Sequence, residues 1–246
     1  MTFQNLTELE FFEGILGLIW VIIALLVSFR IFFKAIKLKR SELWLVGMTY
    51  ICISSAWWGV AGQFIVYGCF SYRLSPVQYL FLANIFIPIG LGSWGWNFFN
   101  NLYRDKRNYF FIGILIFCIV WEIFIIIGLL IDTTLIGTLH SLFDSSHSRT
   151  QLLFVLIAVG IFFLTGAVFS IKTMKEEGKV PYLRGLFLLT AWISFTIGAL
   201  LDASMPLSAV TLIIIRCILI SSALEFYLGF FPPEFLIKRV LKTQNI

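Results

Sequence analysis

Seven times the chain runs apolar for about twenty residues or more, at 12–33, 43–70, 77–103, 109–132, 150–171, 184–203 and 209–231. A hydrocarbon layer about 30 Å thick is crossed by about 20 residues of helix. Inside it every backbone polar group must be satisfied within the segment, which a helix does. The runs predict an all-α integral membrane fold: a seven-transmembrane-helix bundle. The links are short, so neighbours in sequence should be neighbours in space. Residues 1–246 read as one membrane domain, of which 232–246 form a short cytoplasmic interfacial helix and tail.

Composition agrees with a bilayer as solvent. The chain is 60% hydrophobic and 13% charged, about half the charged share of a soluble domain. Its 27 Phe and 8 Trp suit lipid-facing and interfacial positions. The start, "MTFQNLTELEFFEG", is acidic, and no small-residue cleavage site follows the first run, so no cleavable signal peptide is expected. The localisation implied is the cell membrane, as a multi-pass protein.

Charge sets the expected direction. Alternate links hold Lys34, Lys37, Lys39 and Arg40, then Arg104, Lys106 and Arg107, then Lys172, Lys175 and Lys179; the tail adds Lys238, Arg239 and Lys242. The opposite links hold Arg73 and Arg149 beside Glu8, Glu10, Asp132 and Asp144. The positive-inside rule puts the N-terminus outside and the C-terminus in the cytoplasm. This asymmetry also accounts for the net charge of +5, so the lipid bilayer is the expected partner, and no nucleic acid is implied.

"KRSELWLVGMTYICISSAWWGVAGQ" and "GKVPYLRGLFLLTAWISFTIGALLD" lead into the second and sixth runs alike. Each has a basic lead-in, an early glycine, a serine-bearing middle and a late glycine. The third and seventh runs each open beside a proline. This would fit a 3+1+3 helix repeat with the fourth helix as linker.

Charged groups inside hydrocarbon are costly and mark function by default. At 1.5 Å per residue, Gln63, Asn84, Glu122 and Arg216 fall roughly 10–15 Å from the outer ends of their helices, and Asp202 sits at the outer rim of the sixth. A lone buried arginine needs a partner. Glu122 matches Arg216 in depth, and Asp202 lies one short link away. Such a pair serves helix packing, a ligand or both. Pro88 withholds a backbone donor and clashes with the carbonyl of Asn84, so a kink is expected there. The freed carbonyl must face protein, water or ligand. Trp57, Trp58, Trp94 and Trp96 are candidates for a pocket wall, with packing as the alternative use. Together Gln63, Asn84, Trp94, Glu122, Asp202 and Arg216 form the expected ligand-binding set.

At the other end, Glu225 and Arg30 occupy the cytoplasmic ends of the last and first helices, which adjoin in a closed ring. An Arg30–Glu225 structural pair is expected. Then "GFFPP" stops the helix and "PEFLIKRVLK" restarts it with an apolar and a basic face, suited to lie along the membrane.

The ending "FYLGFFPPEFLIKR", with seven helices and the tail inside, resembles the seven-helix sensor region at the N-terminus of some membrane histidine kinases. The resemblance implies sensing, with the stretch after the last helix leading to cytoplasmic signalling domains. No phosphoacceptor histidine domain or nucleotide-binding domain follows before Ile246, so a signal would pass to a separate cytoplasmic signalling protein.

Other classes fit less well. Cys52, Cys69, Cys118 and Cys217 lie in apolar runs without paired spacing and read as small hydrophobes. His140 and His147 share one polar link, and a zinc hydrolase would need more ligands inside the bundle. No phosphate loop, nucleophile elbow or metal motif occurs. A retinal protein needs a lysine within the last helix, and Arg216 cannot form that bond. Duplicated sugar transporters usually carry prolines within helices of both halves, whereas Pro88 alone is mid-helix here. The expectation is a receptor- or sensor-like protein with an outward-facing polar pocket for an unknown small-molecule ligand, without a cofactor or enzymatic activity. The alternatives are a small-molecule or ion transporter, and a packing subunit.

Overall fold

A computed structural model describes Phe3, residues 6–204 and residues 208–242. Residues 243–246, the end of the expected tail, lie outside them. Seven helical spans are long and apolar enough to cross a membrane: Glu8–Leu38, Ser41–Phe70, Pro76–Leu102, Asn108–Ile131, Arg149–Met174, Lys179–Ala203 and Ala209–Phe230. Each matches one predicted run, with ends displaced by up to five residues. The largest displacements are at helix ends that carry charge, where hydropathy fades but hydrogen bonding continues.

The first span is α1 (Glu8–Leu38), opened by a capping box in which Thr7 and Glu10 satisfy each other's backbone donors. Lys39 ends it in the left-handed conformation. The second span is broken into α2 (Ser41–Ser54), a 3-10 turn (Ser55–Trp57) and α3 (Trp58–Phe70). Ser54 and Ser55 turn their hydroxyls back onto the carbonyls of Ile51 and Cys52, both at 2.7 Å, a bond that competes with the helical ladder. The third span is broken into α4 (Pro76–Asn84) and α5 (Ile87–Leu102). Pro88 sits in the first turn of α5, where its missing N–H costs nothing. The interruption thus falls directly after Asn84. The remaining spans are α6 (Arg107–Ile131), α7 (Arg149–Met174), α8 (Lys179–Ser204) and α9 (Ala209–Phe230), followed by α10 (Glu234–Lys242).

Packing runs mainly between sequence neighbours. α1 lies against α2 and α3, α2 against α5, α7 against α8, and α8 against α9, while α9 returns to α1. The exception is at the middle: α5 packs on both α6 and α7. α6 reaches α7 through side chains, with Trp121 stacked on Phe154 at 5.7 Å. The core is aromatic: Trp20, Trp94 and Trp121 are wholly buried. The outside is apolar too, with Leu130 81% and Ile131 76% exposed on α6. That surface suits lipid and not water.

Between α6 and α7 the chain forms an antiparallel hairpin, β1 (Gly137–Leu139) with β2 (Ser145–His147). It is anchored by two apolar residues within a polar segment. Ile136 and Phe143 are at most 1% exposed, and the Tyr79 hydroxyl donates to the Phe143 carbonyl at 2.6 Å. The hairpin therefore folds over the end of the bundle that carries the N-terminus.

At the opposite, basic end, the expected Arg30–Glu225 pair does not form. The buried face of α1 runs through Ala24, Val27, Ser28, Ile31 and Ala35, which leaves Arg30 exposed. Glu225 instead accepts from its own helix, from Ser221 Oγ at 2.7 Å. α1 and α9 are joined there by Lys34, whose ammonium stands 3.9 Å from the centre of the Phe231 ring.

The two broken spans meet at Gly90, where an added Cβ would lie 2.7 Å from Cys52 Cβ. Gly90→Val should lower stability by roughly 1–3 kcal/mol, with Gly90→Ala intermediate. Thermal unfolding in detergent measures this; a wild-type midpoint for the valine variant would show that the contact gives way freely.

Candidate functional site

Below the hairpin lies a cavity of about 360 Å³. It reaches down to the level where the second and third spans are broken: Ala56, Trp57, Asn84 and Ile87 all line it. From α8 and α9 come Asp202 and Arg216, from α1 comes Glu13, and from the hairpin come His140, Asp144 and His147. Its apolar wall is supplied by α7 and α8, including Val155, Phe162 and Phe195.

Asp202 organises the charged side. Its Oδ1 accepts from Arg216 Nη1 at 2.9 Å, and its Oδ2 accepts from Trp57 Nε1 at 2.7 Å. One carboxylate thereby joins the second, sixth and seventh spans. Arg216 is 2% exposed and its guanidinium carbon stands 5.8 Å from the Trp57 ring. Of the two partners expected for Arg216, the structure selects Asp202. Glu122 matches in depth, but it lies on α6, which packs against α5. One of its carboxylate oxygens is buried without a hydrogen bond.

Asn84 belongs to a second network. Its side-chain N–H donates to the Leu80 carbonyl at 2.9 Å. Its Oδ1 accepts from Gln151 Nε2 at 2.7 Å, and Gln151 Oε1 accepts from Trp121 Nε1 at 2.9 Å. This chain links the third, fourth and fifth spans and leaves each buried amide satisfied.

Asn84, Asp202 and Arg216 thus share one cavity. The remaining members of the expected set lie elsewhere. Gln63 Oε1 accepts from the Leu74 backbone at 2.8 Å, and Gln63 Nε2 donates to the Tyr72 carbonyl at 3.3 Å; it holds the turn after α3. Trp94 is fully buried and donates to Thr165 Oγ1 at 2.8 Å. Glu122 does not line the cavity. Among the four tryptophans considered, Trp57 faces it, while Trp58 donates to Ser54 and Trp96 packs on Phe111.

Glu13 and the hairpin residues were not expected at the site. Glu13 opens a buried stripe on α1 that continues through Gly17, Trp20 and Ala24. That three- and four-residue spacing is visible in the sequence and could have placed Glu13 on the inner face. For the hairpin the available signal was Phe143, a large apolar residue inside an otherwise polar link.

Burial holds the imidazole of His147 below its usual pKa, with Asp202 partly opposing. The neutral form is favoured in the folded state, while the unfolded chain takes up its proton near pH 6.5. Stability from this site is therefore complete above about pH 6.5 and is lost as pH falls through the lower folded value.

No family model, curated protein or solved structure matches the chain.

Two outcomes follow from the geometry. Arg216→Ala should destabilise by roughly 3–5 kcal/mol because it strands Asp202, while Arg216→Leu with Asp202→Leu should recover much of the loss. Thermal unfolding of the single and double variants decides this; a double variant as unstable as the sum of the singles would contradict the pairing. Second, the unfolding midpoint of wild type should lose ground to that of His147→Gln as pH falls from 7.5 to 5.5. An unchanged slope in His147→Gln would assign the proton to another group.

Proposed function

We propose that the chain is a receptor- or sensor-like multi-pass protein of the cell membrane, with its N-terminus outside and its C-terminal helix on the cytoplasmic surface. The carrying observation is the charged cavity at the N-terminal end of the bundle, backed by an aromatic plug towards the basic end. Trp94 and Trp192 meet at 4.9 Å, Phe162 stacks on Trp192 at 6.0 Å, and Tyr50 stacks on Phe226 at 4.7 Å. A pocket of this size with a few convergent polar groups on an apolar wall has the character of a small-molecule site.

α9 provides a route for the signal. It carries Arg216 in the cavity and ends at Phe231, Pro232 and Pro233, after which α10 begins. A ligand that enters beside the Asp202–Arg216 pair perturbs it and shifts α9 relative to α8 and α1. The far end of α9 sets the position of α10 and of Lys34 on Phe231. α10 is strongly amphipathic, as expected of a helix lying on lipid, and would present the change to a separate cytoplasmic signalling protein. The 3+1+3 arrangement, with α6 as linker, belongs to the same proposal.

One observation favours the second reading, a transporter. Two spans are interrupted at cavity depth, and broken helices are common where transporters bind their substrates. The readings part on access, because transport requires the cavity to open alternately to both sides.

In a background without native cysteines, single cysteines at Thr7 and at Glu234 should be labelled from opposite faces of intact cells. Labelling from one face would end the seven-span topology. Purified protein in liposomes should bind solutes at the cavity without moving them. Saturable flux lost in Asp202→Asn would replace the receptor with a transporter.

A further inference from the structure

Resting on the reading of this cavity as a ligand site, we propose that its ligand is a small organic cation, an ammonium group on an apolar body, with Glu13 as the counter-ion.

The argument begins with what each charged group already holds. Both oxygens of Asp202 are occupied, by Arg216 and Trp57. Glu13 is different. It is 4% exposed, lines the cavity, and makes no hydrogen bond or ion pair among the described residues. A carboxylate at a cavity wall with no protein donor among the described residues is open to a donor supplied from within the cavity. A ligand that donates to it gains a charge-assisted hydrogen bond.

The sign of that ligand follows from the surrounding charge. Among the described residues three carboxylates, Glu13, Asp144 and Asp202, line the cavity with one guanidinium, Arg216, so acidic side chains outnumber guanidinium groups there. An entering anion would add to this excess, whereas a cation relieves it. The wall adds to the preference: Trp57, Tyr79, Phe143, Phe162 and Phe195 offer aromatic surface, and ring faces attract ammonium groups.

The charge of the Arg216 guanidinium is already met by Asp202. A cavity of about 360 Å³ lies at the lower end of the range of small-molecule pockets, which restricts the ligand to a small molecule.

Three probes of one skeleton isolate charge: 2-phenylethylammonium, 2-phenylethanol and phenylacetate. Each is titrated against the full chain in lipid nanodiscs, with tryptophan fluorescence and the unfolding midpoint as readouts. The ammonium should bind saturably, about tenfold or more tighter than the alcohol, and phenylacetate should bind least. Glu13→Gln should erase the tenfold preference. Glu13→Asp should keep a preference for the cation at reduced affinity, which holds the test open if Glu13→Gln does not fold. A preference for phenylacetate would overturn the cation and leave the cavity a ligand site. A preference for ammonium unchanged in Glu13→Gln, or no binding of any probe to folded protein, would also overturn it. Ammonium that binds as expected but accumulates in liposomes would keep the inference and overturn the receptor.

Discussion

One carboxylate holds the N-terminal end of this bundle together. Asp202 accepts from Arg216 on one helix and from Trp57 on another, and both donors are nearly excluded from solvent. A buried ion pair contributes little net stability over an apolar substitute, because desolvation offsets the attraction. Its value here is geometric: it leaves one arrangement of three spans in which no charge is stranded. The cavity is the space those spans leave when they close on that point.

The breaks in the second and third spans belong to the same arrangement. An unbroken helix would present a continuous wall. Here Ser54 and Ser55 divert carbonyls in one span and Pro88 withholds a donor in the other. The interruptions fall beside Trp57 and Asn84, both of which line the cavity. The glycine at position 90 then lets the two spans approach until Cys52 is in contact. Backbone irregularity at membrane depth is tolerated because it faces protein and cavity.

The hairpin completes the enclosure, and it does so by ordinary hydrophobic burial. Ile136 and Phe143 enter the bundle, and the polar residues between and just after them are carried along. His140, Asp144 and His147 reach the cavity for that reason. A link that looks solvated by composition thereby becomes the wall of a site.

Hydropathy alone determined the seven spans, because hydrocarbon admits only segments that satisfy their own backbone, and that requirement is local. It determined equally that Arg216 needs a partner and that Pro88 would interrupt its helix beside Asn84. Depth along each helix was therefore legible, which is how Asn84, Asp202 and Arg216 were found. Rotation about each helix axis and the choice of neighbour were not, since both depend on packing between segments distant in sequence. Glu122 has the right depth on a helix that packs elsewhere, and Arg30 has the right height on the wrong face. Gln63 is buried by its bonds to the turn after α3, and Trp94 by its bond across to Thr165 on α7. Glu13 shares the spacing of the buried stripe of α1 and Phe143 stands out as apolar in its link, but packing decided that the stripe faces the cavity and that Phe143 brings the hairpin over it. Sequence position fixes how far a side chain lies along its helix; only the packed bundle fixes what it faces.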